Sequence, residues 1–248
     1  MKHLFAPAMV ALSLTASSAL AFDIDALSDS ERSAFRAEIR AYLLENPEVI
    51  MEAVAVLEQR REAEQANADV NLVANNADRL FDDGFSWQGG NPEGDITLVE
   101  FIDYRCGYCR KAHDEVAELI SSDGNIRFIV KEYPILGEAS EQSARFAIAV
   151  KQKLGDDAYK LAHDSLIKMR GDVTPKSLTK LSKSLGFEAD NILEHMNSEE
   201  VTSEINTTRA LARDMNISGT PSFVLQDEML RGYLPLENMR AIVADKRS

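Results

Sequence analysis

Cysteine is almost missing from this chain: Cys106 and Cys109 are the only two in 248 residues. A framework of several disulfides is thereby excluded, and a chain of this length buries enough apolar surface to fold without one. Basic residues are also short, 27 against 41 acidic, for a formal net charge of −14. Such a surface repels nucleic acid and anionic lipid, and no basic patch offsets it. Long apolar runs are lacking as well. Beyond the first 21 residues no segment approaches the ~18 apolar residues of a membrane span, so the mature chain is not expected to be membrane-embedded. Internal repeats, a second CxxC pair and Met-rich or His-rich tracts are all absent from the sequence.

What is present begins with "MKHLFAPAMVALSLTASSALAF": a cationic start at Lys2, an apolar stretch and small residues ending in Ala19-Leu20-Ala21. This pattern predicts a secretory signal peptide over residues 1–21, cleaved after Ala21, and an exported, periplasmic protein. Pro7, Ser13 and Thr15 interrupt the apolar stretch, which argues against a membrane anchor.

Residues 22–82 read as helical. Ser28 to Glu31 form a capping-box pattern, followed by Phe35, Ile39, Tyr42 and Leu43 at helical spacing. Asn46-Pro47 ends that helix and opens another, expected to run from about Glu48 to Asp82 and to span roughly 50 Å. Its start is apolar (Val49, Ile50, Ala53, Val54, Leu57), whereas "EQRREAEQANADVN" has almost nothing to bury. The segment therefore reads as a stalk with an apolar tip that seeks a partner, the alternative being a surface helix lying across its own domain.

A second domain is expected over 83–248. "DDGFSWQGGNPEGD" is rich in turn residues and marks the boundary. "ITLVEFID" and "IRFIVKEYPIL" read as buried strands flanking an amphipathic helix, "CGYCRKAHDEVAELISS". A helical insertion is expected over about 138–217, then "SGTPSFVL" and "EMLRGYL" as a strand hairpin, and "PLENMRAIVADKR" as a final helix. The fold class is thus α/β.

The cysteine pair falls where strand gives way to helix. A disulfide across two residues closes almost no loop, so structure explains the pair poorly. Unpaired N–H groups at a helix N-terminus lower a thiol pKa, which favours Cys106 as the attacking thiolate. Cys109, one turn on, is in reach to resolve a mixed disulfide. Zinc usually needs four ligands. His3 leaves with the signal, and His113, His163 and His195 are scattered along helices and read as exposed, so no metal site and no cofactor is expected.

On "EFIDYRCGYC", "KEYPILG" and "SGTPSFVL" the region from Phe85 to Ser248 resembles the DsbA-like thioredoxin-fold oxidoreductases. That resemblance implies a thioredoxin fold with a helical insertion, a cis-proline at Pro221 facing the sulfurs, and Thr220 pairing with an extended substrate. It also matches Glu100 to a buried acid of the family. Glu100 and Lys131 are then expected either to shuttle the proton that Cys109 must lose or to form a plain strand-end ion pair. Strong oxidases of the DsbA type tend to carry Pro-His between the cysteines and Val before the proline. Gly107-Tyr108 with Thr220 is instead the combination of DsbC-type isomerases.

"YLLENPEVIMEAVAVLEQ" resembles the N-terminal segment of ScsC-like proteins and related trimeric isomerases. The resemblance implies an exported disulfide isomerase or reductase acting on misoxidised or unfolded secreted proteins. It would be kept reduced by a membrane thiol reductase and assembled as a trimer through residues 22–82. The alternatives are a DsbA-type dithiol oxidase, and a periplasmic copper-binding protein in which the two thiolates hold Cu(I).

Overall fold

A computed structural model describes residues 27–248, and the expected signal peptide lies outside them. The described residues divide into two compact units between Gln59 and Arg60.

The first unit holds helix α1 (Asp29–Glu45) and the opening turns of α2 (Glu48–Asn75). Ser28 caps α1 through a complete capping box: its hydroxyl accepts from the Glu31 N–H, and the Glu31 carboxylate accepts from the Ser28 N–H at 2.9 Å. Asn46 closes the helix by donating its backbone and side-chain N–H groups to the Tyr42 carbonyl, and Pro47 follows. No residue of α1 is buried. Ile39, Tyr42, Leu44, Ile50, Met51, Val54 and Leu57 are between 41% and 67% exposed. Among the described residues, these side chains enter neither hydrophobic core.

The second unit is a five-stranded sheet with helices on both faces. It runs α3 (Ala77–Phe81), β1 (Trp87–Gly90), β2 (Ile96–Ile102), α4 (Gly107–Asp123), β3 (Ile126–Glu132), α5 (Glu138–Leu154), α6 (Asp156–Lys168), α7 (Pro175–Ser184), α8 (Ala189–His195), α9 (Glu199–Asp214), β4 (Ser222–Leu225), β5 (Glu228–Arg231) and α10 (Leu236–Lys246). The strand order is β1-β3-β2-β4-β5, with β2 parallel to β3 and antiparallel to β4. The three strands at the centre are apolar on both faces, as burial between two helical layers requires. Leu98, Ile102, Val130 and Phe223 pack with α4, the α5–α9 insertion and α10. Val99, Phe101, Ile129 and Val224 pack with the end of α9 and with Val73 and Leu80.

Two expectations need correction. The long helix stops at Asn75, and residues 60–82 belong to the second unit instead of continuing a stalk. Val73 and Leu80 are core residues, and buried Asp69 accepts both terminal nitrogens of Arg231, one at 2.8 Å. A polar composition hid these few anchoring positions. The stretch "SWQGG", read as a turn-rich boundary, contains β1, antiparallel to β3 with Trp87 opposite Val130. Its anchor is the indole, stacked on Tyr159 at 5.6 Å and donating to the Asp156 carbonyl at 3.1 Å. Gly90 ends the strand at φ +69, where a Cβ would lie 2.2 Å from the Ile126 carbonyl oxygen.

Leu80 is fully buried. Leu80→Ala is therefore expected to lower unfolding stability by about 3 kcal/mol in urea titrations of the full chain. A change near zero would place residues 60–82 outside the folded unit.

Candidate active site

Helix α4 begins beyond the C-terminal end of the central strand because β2 ends at Ile102 and the chain turns through Asp103-Tyr104-Arg105. Buried Asp103 holds that turn: its carboxylate accepts from the N–H groups of Arg105, Ile135 and Leu136, and its carbonyl accepts from Cys106 N–H. Arg110 ties the turn to the insertion by donating to the carbonyls of Tyr104 and Met169. Cys106 occupies the N-cap position of α4 with extended backbone and no side-chain cap, and Gly107 starts the helix. Gly124, left-handed at φ 74, closes it.

Cys106 and Cys109 are free thiols, one 7% exposed and the other fully buried. The Thr220–Pro221 peptide is cis, and the Cys106 thiol donates to the Thr220 carbonyl at 3.1 Å. Hydrogen bonding from the Cys109 side chain acts first on Cys106. Together with the Thr220 side chain and the N–H groups of Cys109 and Tyr108, it outweighs burial and brings Cys106 down to about 5. Cys109 moves the other way: burial, then its bond to Cys106, then the charge of Glu100 push its thiol up. The pair thus holds a ready thiolate beside a thiol that keeps its proton.

Glu100 is buried, and burial followed by the charge of Cys106 pushes its carboxyl up to about 8. One of its oxygens, Oε1, has no hydrogen-bond partner. The expected pairing of Glu100 with Lys131 does not form. Glu100 lies opposite Val130 in the parallel register, so Lys131, the next residue, points to the other face of the sheet. There its ammonium donates to Asp83 at 2.5 Å and to the Arg79 carbonyl at 2.8 Å. The charged β3 residue on Glu100's face is Glu132, whose Oε1 accepts from Tyr104 and Tyr159, each at 2.6 Å. Burial raises Glu132 to about 8.

Sequence reasoning also missed Asp103, Glu132 and Tyr233. The first two stand inside "IDYRCGYC" and "KEYP", and for Glu132 period-two alternation along β3 was the available signal. Tyr233 had none. Its ring stacks on Tyr108 at 6.2 Å, beneath the Lys111 ammonium at 4.0 Å, and leaves Tyr108 63% exposed beside the cysteines. The histidines were misread: His163 is buried, His113 largely so and His195 half-buried, its Nε2 2.7 Å from Gln152 Oε1.

Two outcomes check this electrostatic arrangement. Alkylation of the reduced protein by iodoacetamide is expected to reach half its maximal rate near pH 5, because the thiolate is the reacting form. A midpoint at 8 to 9, the ordinary range for a free thiol, would contradict the site. The raised pKa of Glu100 means that the folded state holds its proton more tightly than the unfolded chain between about 4.5 and 8. Stability from this group is accordingly lost as pH rises through that window. Urea midpoints of Glu100→Gln and the parent, both in the disulfide form, should diverge from pH 5 to pH 8 in favour of the variant. A constant difference would mean that Glu100 does not titrate there.

Residues 97–244 match the family described as DSBA-like thioredoxin domain, and residues 31–64 match the Copper resistance protein ScsC N-terminal domain. Disulfide bond formation protein D of Bacillus subtilis is 24% identical over 62% of this chain and 73% of its own length. The antiporter NhaA 1 of Salinispora arenicola is 28% identical over 62% of this chain, but the chain spans only 24% of that protein. Among solved structures, a thioredoxin-like oxidoreductase from Silicibacter pomeroyi is 37% identical, with a TM-score of 0.64, covering 68% of this chain and 96% of that one. BcfH of Salmonella enterica Typhimurium is 26% identical, with a TM-score of 0.71, covering 87% and 95%. The family model spans more than half of the residues, the oxidoreductase match spans nearly all of its partner, and the sheet carries the helical insertion between β3 and β4: this chain belongs to the DSBA-like thioredoxin family, with a ScsC-type N-terminal segment.

Proposed function

We propose that this protein is an exported thiol–disulfide interchange enzyme that shuffles non-native disulfides in secreted proteins through Cys106-Gly107-Tyr108-Cys109. The observation that carries the reading is the opposed pair of thiols at the head of α4, with Cys106 brought down to about 5 and Cys109 buried and pushed up. The Cys106 thiolate attacks one sulfur of a substrate disulfide, forms a mixed disulfide and releases the other sulfur as a thiolate. In shuffling, a substrate thiolate then displaces Cys106. In reduction, Cys109 loses its proton and displaces the substrate, leaving the Cys106–Cys109 disulfide. The elevated pKa of Cys109 delays this second route and gives the substrate time to rearrange. Glu100, neutral at pH 7 and on the sheet face that carries α4, is the candidate proton carrier for Cys109. Thr220 and Pro221, against Cys106, would align an extended substrate strand, and exposed Tyr108 would meet its side chains.

Residues 1–21 would direct export to the periplasm, where a membrane thiol reductase would keep the site reduced. The exposed apolar residues of α1 and early α2 support assembly of several copies, and the ScsC-type segment favours a trimer. Several sites presented to one substrate raise the effective concentration of each.

One observation favours a second reading, a dithiol oxidase. A thiolate stabilised to about 5 lies between the ~7 of thioredoxin and the ~3.5 of DsbA, and stabilising the reduced form makes a stronger oxidant.

Scrambled ribonuclease separates the two. Reduced protein is expected to restore ribonuclease activity, Cys106→Ser to restore none, and Cys109→Ser to accumulate mixed disulfides. Deletion through Gln59 is expected to give a monomer by light scattering and to lose shuffling while keeping thiol reactivity. No recovery by the reduced form, with rapid oxidation of a reduced substrate by the disulfide form, would make the enzyme an oxidase.

A further inference from the structure

Two helices of the catalytic unit bring His113, His163 and Asp164 together. Each offers one ligand atom, and these atoms lie within 4.8 Å of one another. His113 projects from α4 and the other two from α6.

The tautomer of His163 can be read from its partners. Tyr104 donates its single hydroxyl proton to Glu132, so its oxygen is left to accept from the His163 Nδ1–H at 3.0 Å. Nε2 of His163 then carries the free lone pair. A ring N–H given to an oriented partner, with the other nitrogen bare, is the arrangement found behind metal-bound histidines. Asp164 is divided in the same manner. Its Oδ2 accepts from Lys160 at 2.5 Å, while its buried Oδ1 meets His113 Nε2 at 3.2 Å, the contact into which an ion would insert. His113 and His163 also line a cavity of about 240 Å³, together with Glu100 and Lys160. Glu100 Oε1 is an unsatisfied buried oxygen.

We propose that His113, His163 and Asp164 form a binding site for a divalent ion of the zinc type, which joins α4 to α6 and takes a cavity water as its fourth ligand. Two imidazole nitrogens and one carboxylate oxygen suit zinc, whereas calcium and magnesium require oxygen donors throughout. Zinc–ligand distances are about 2.1 Å, so side-chain adjustments of roughly an ångström close the three groups on one ion. Lys160 keeps Oδ2 and orients the carboxylate, and the Tyr104–Glu132 pair orients His163. The site shares no residue with the cysteine pair and stands whether the enzyme shuffles or oxidises.

The test uses the full chain with Cys106→Ser and Cys109→Ser, so that no thiol can hold metal. Titration with Zn2+ in a calorimeter is expected to show one ion per chain, and Co2+ to give the visible absorption of a four-coordinate site. His113→Gln, which removes a ligand at the less buried position, should weaken binding at least tenfold with an unchanged circular dichroism spectrum. Tyr104→Phe should weaken it about 10-fold to 100-fold, as loss of an orienting partner does. His195→Gln should leave it intact. Absence of saturable Zn2+ binding in the Cys-free chain, or binding undiminished in folded His113→Gln, would overturn the proposal.

Discussion

The site depends on one contact across 114 residues of sequence: Cys106 Sγ against the carbonyl of Thr220. Neither residue is positioned by its neighbours alone. Strand β2 sits between β3 and β4, so that Phe101 lies opposite Ser222. The turn leaving β2 and the turn entering β4 then meet at the same end of the sheet. The whole α5–α9 insertion separates these strands in sequence and is accommodated without disturbing their pairing. The cost of closing a long loop grows only slowly with its length, which makes such an insertion tolerable.

Around that contact, burial does most of the electrostatic work. Cys109, Glu100 and Glu132 are all driven toward their neutral forms by loss of water. Cys106 escapes because it stands at a helix start, where unpaired N–H groups and the Cys109 thiol supply hydrogen bonds to the thiolate. Within one helical turn the fold therefore produces a charged sulfur and a neutral one. The side of the sheet that carries Glu100 also carries Glu132, with Tyr104, Tyr159 and His163 gathered about it by hydrogen bonds and ring contacts. Lys131 serves the other side, where it fixes Asp83 and the chain leading into β1.

The N-terminal unit follows a different logic. Helix α1 is well capped, but the apolar residues of the unit remain exposed in the described chain. Helical propensity and capping suffice to form such elements. Their hydrophobic spacing gains energy only when another surface covers it. The unit ends at Gln59, and beyond it Asp69, Val73 and Leu80 find partners in the sheet domain.

By itself the sequence determined whatever is local. The capping box at Ser28, the strand-to-helix junction at Cys106, the two central strands, the helical insertion and the terminal helix are written in short-range pattern, because capping and side-chain periodicity act over a few residues. Tertiary structure alone decided what depends on register and on which faces meet. Glu100 and Lys131 looked like partners because both are charged residues on adjacent strands, but a one-residue offset in a period-two element sends them to opposite sides. His113 and His163, fifty residues apart, came together only because α4 and α6 pack on the same face of the sheet. β1 escaped notice because two of its four residues are glycines, and its stability comes from the contacts of Trp87 with Tyr159 and the Asp156 carbonyl, not from its own pattern. Chemistry confined to one helical turn was legible in the chain, whereas chemistry assembled from distant elements had to wait for the pairing of the strands.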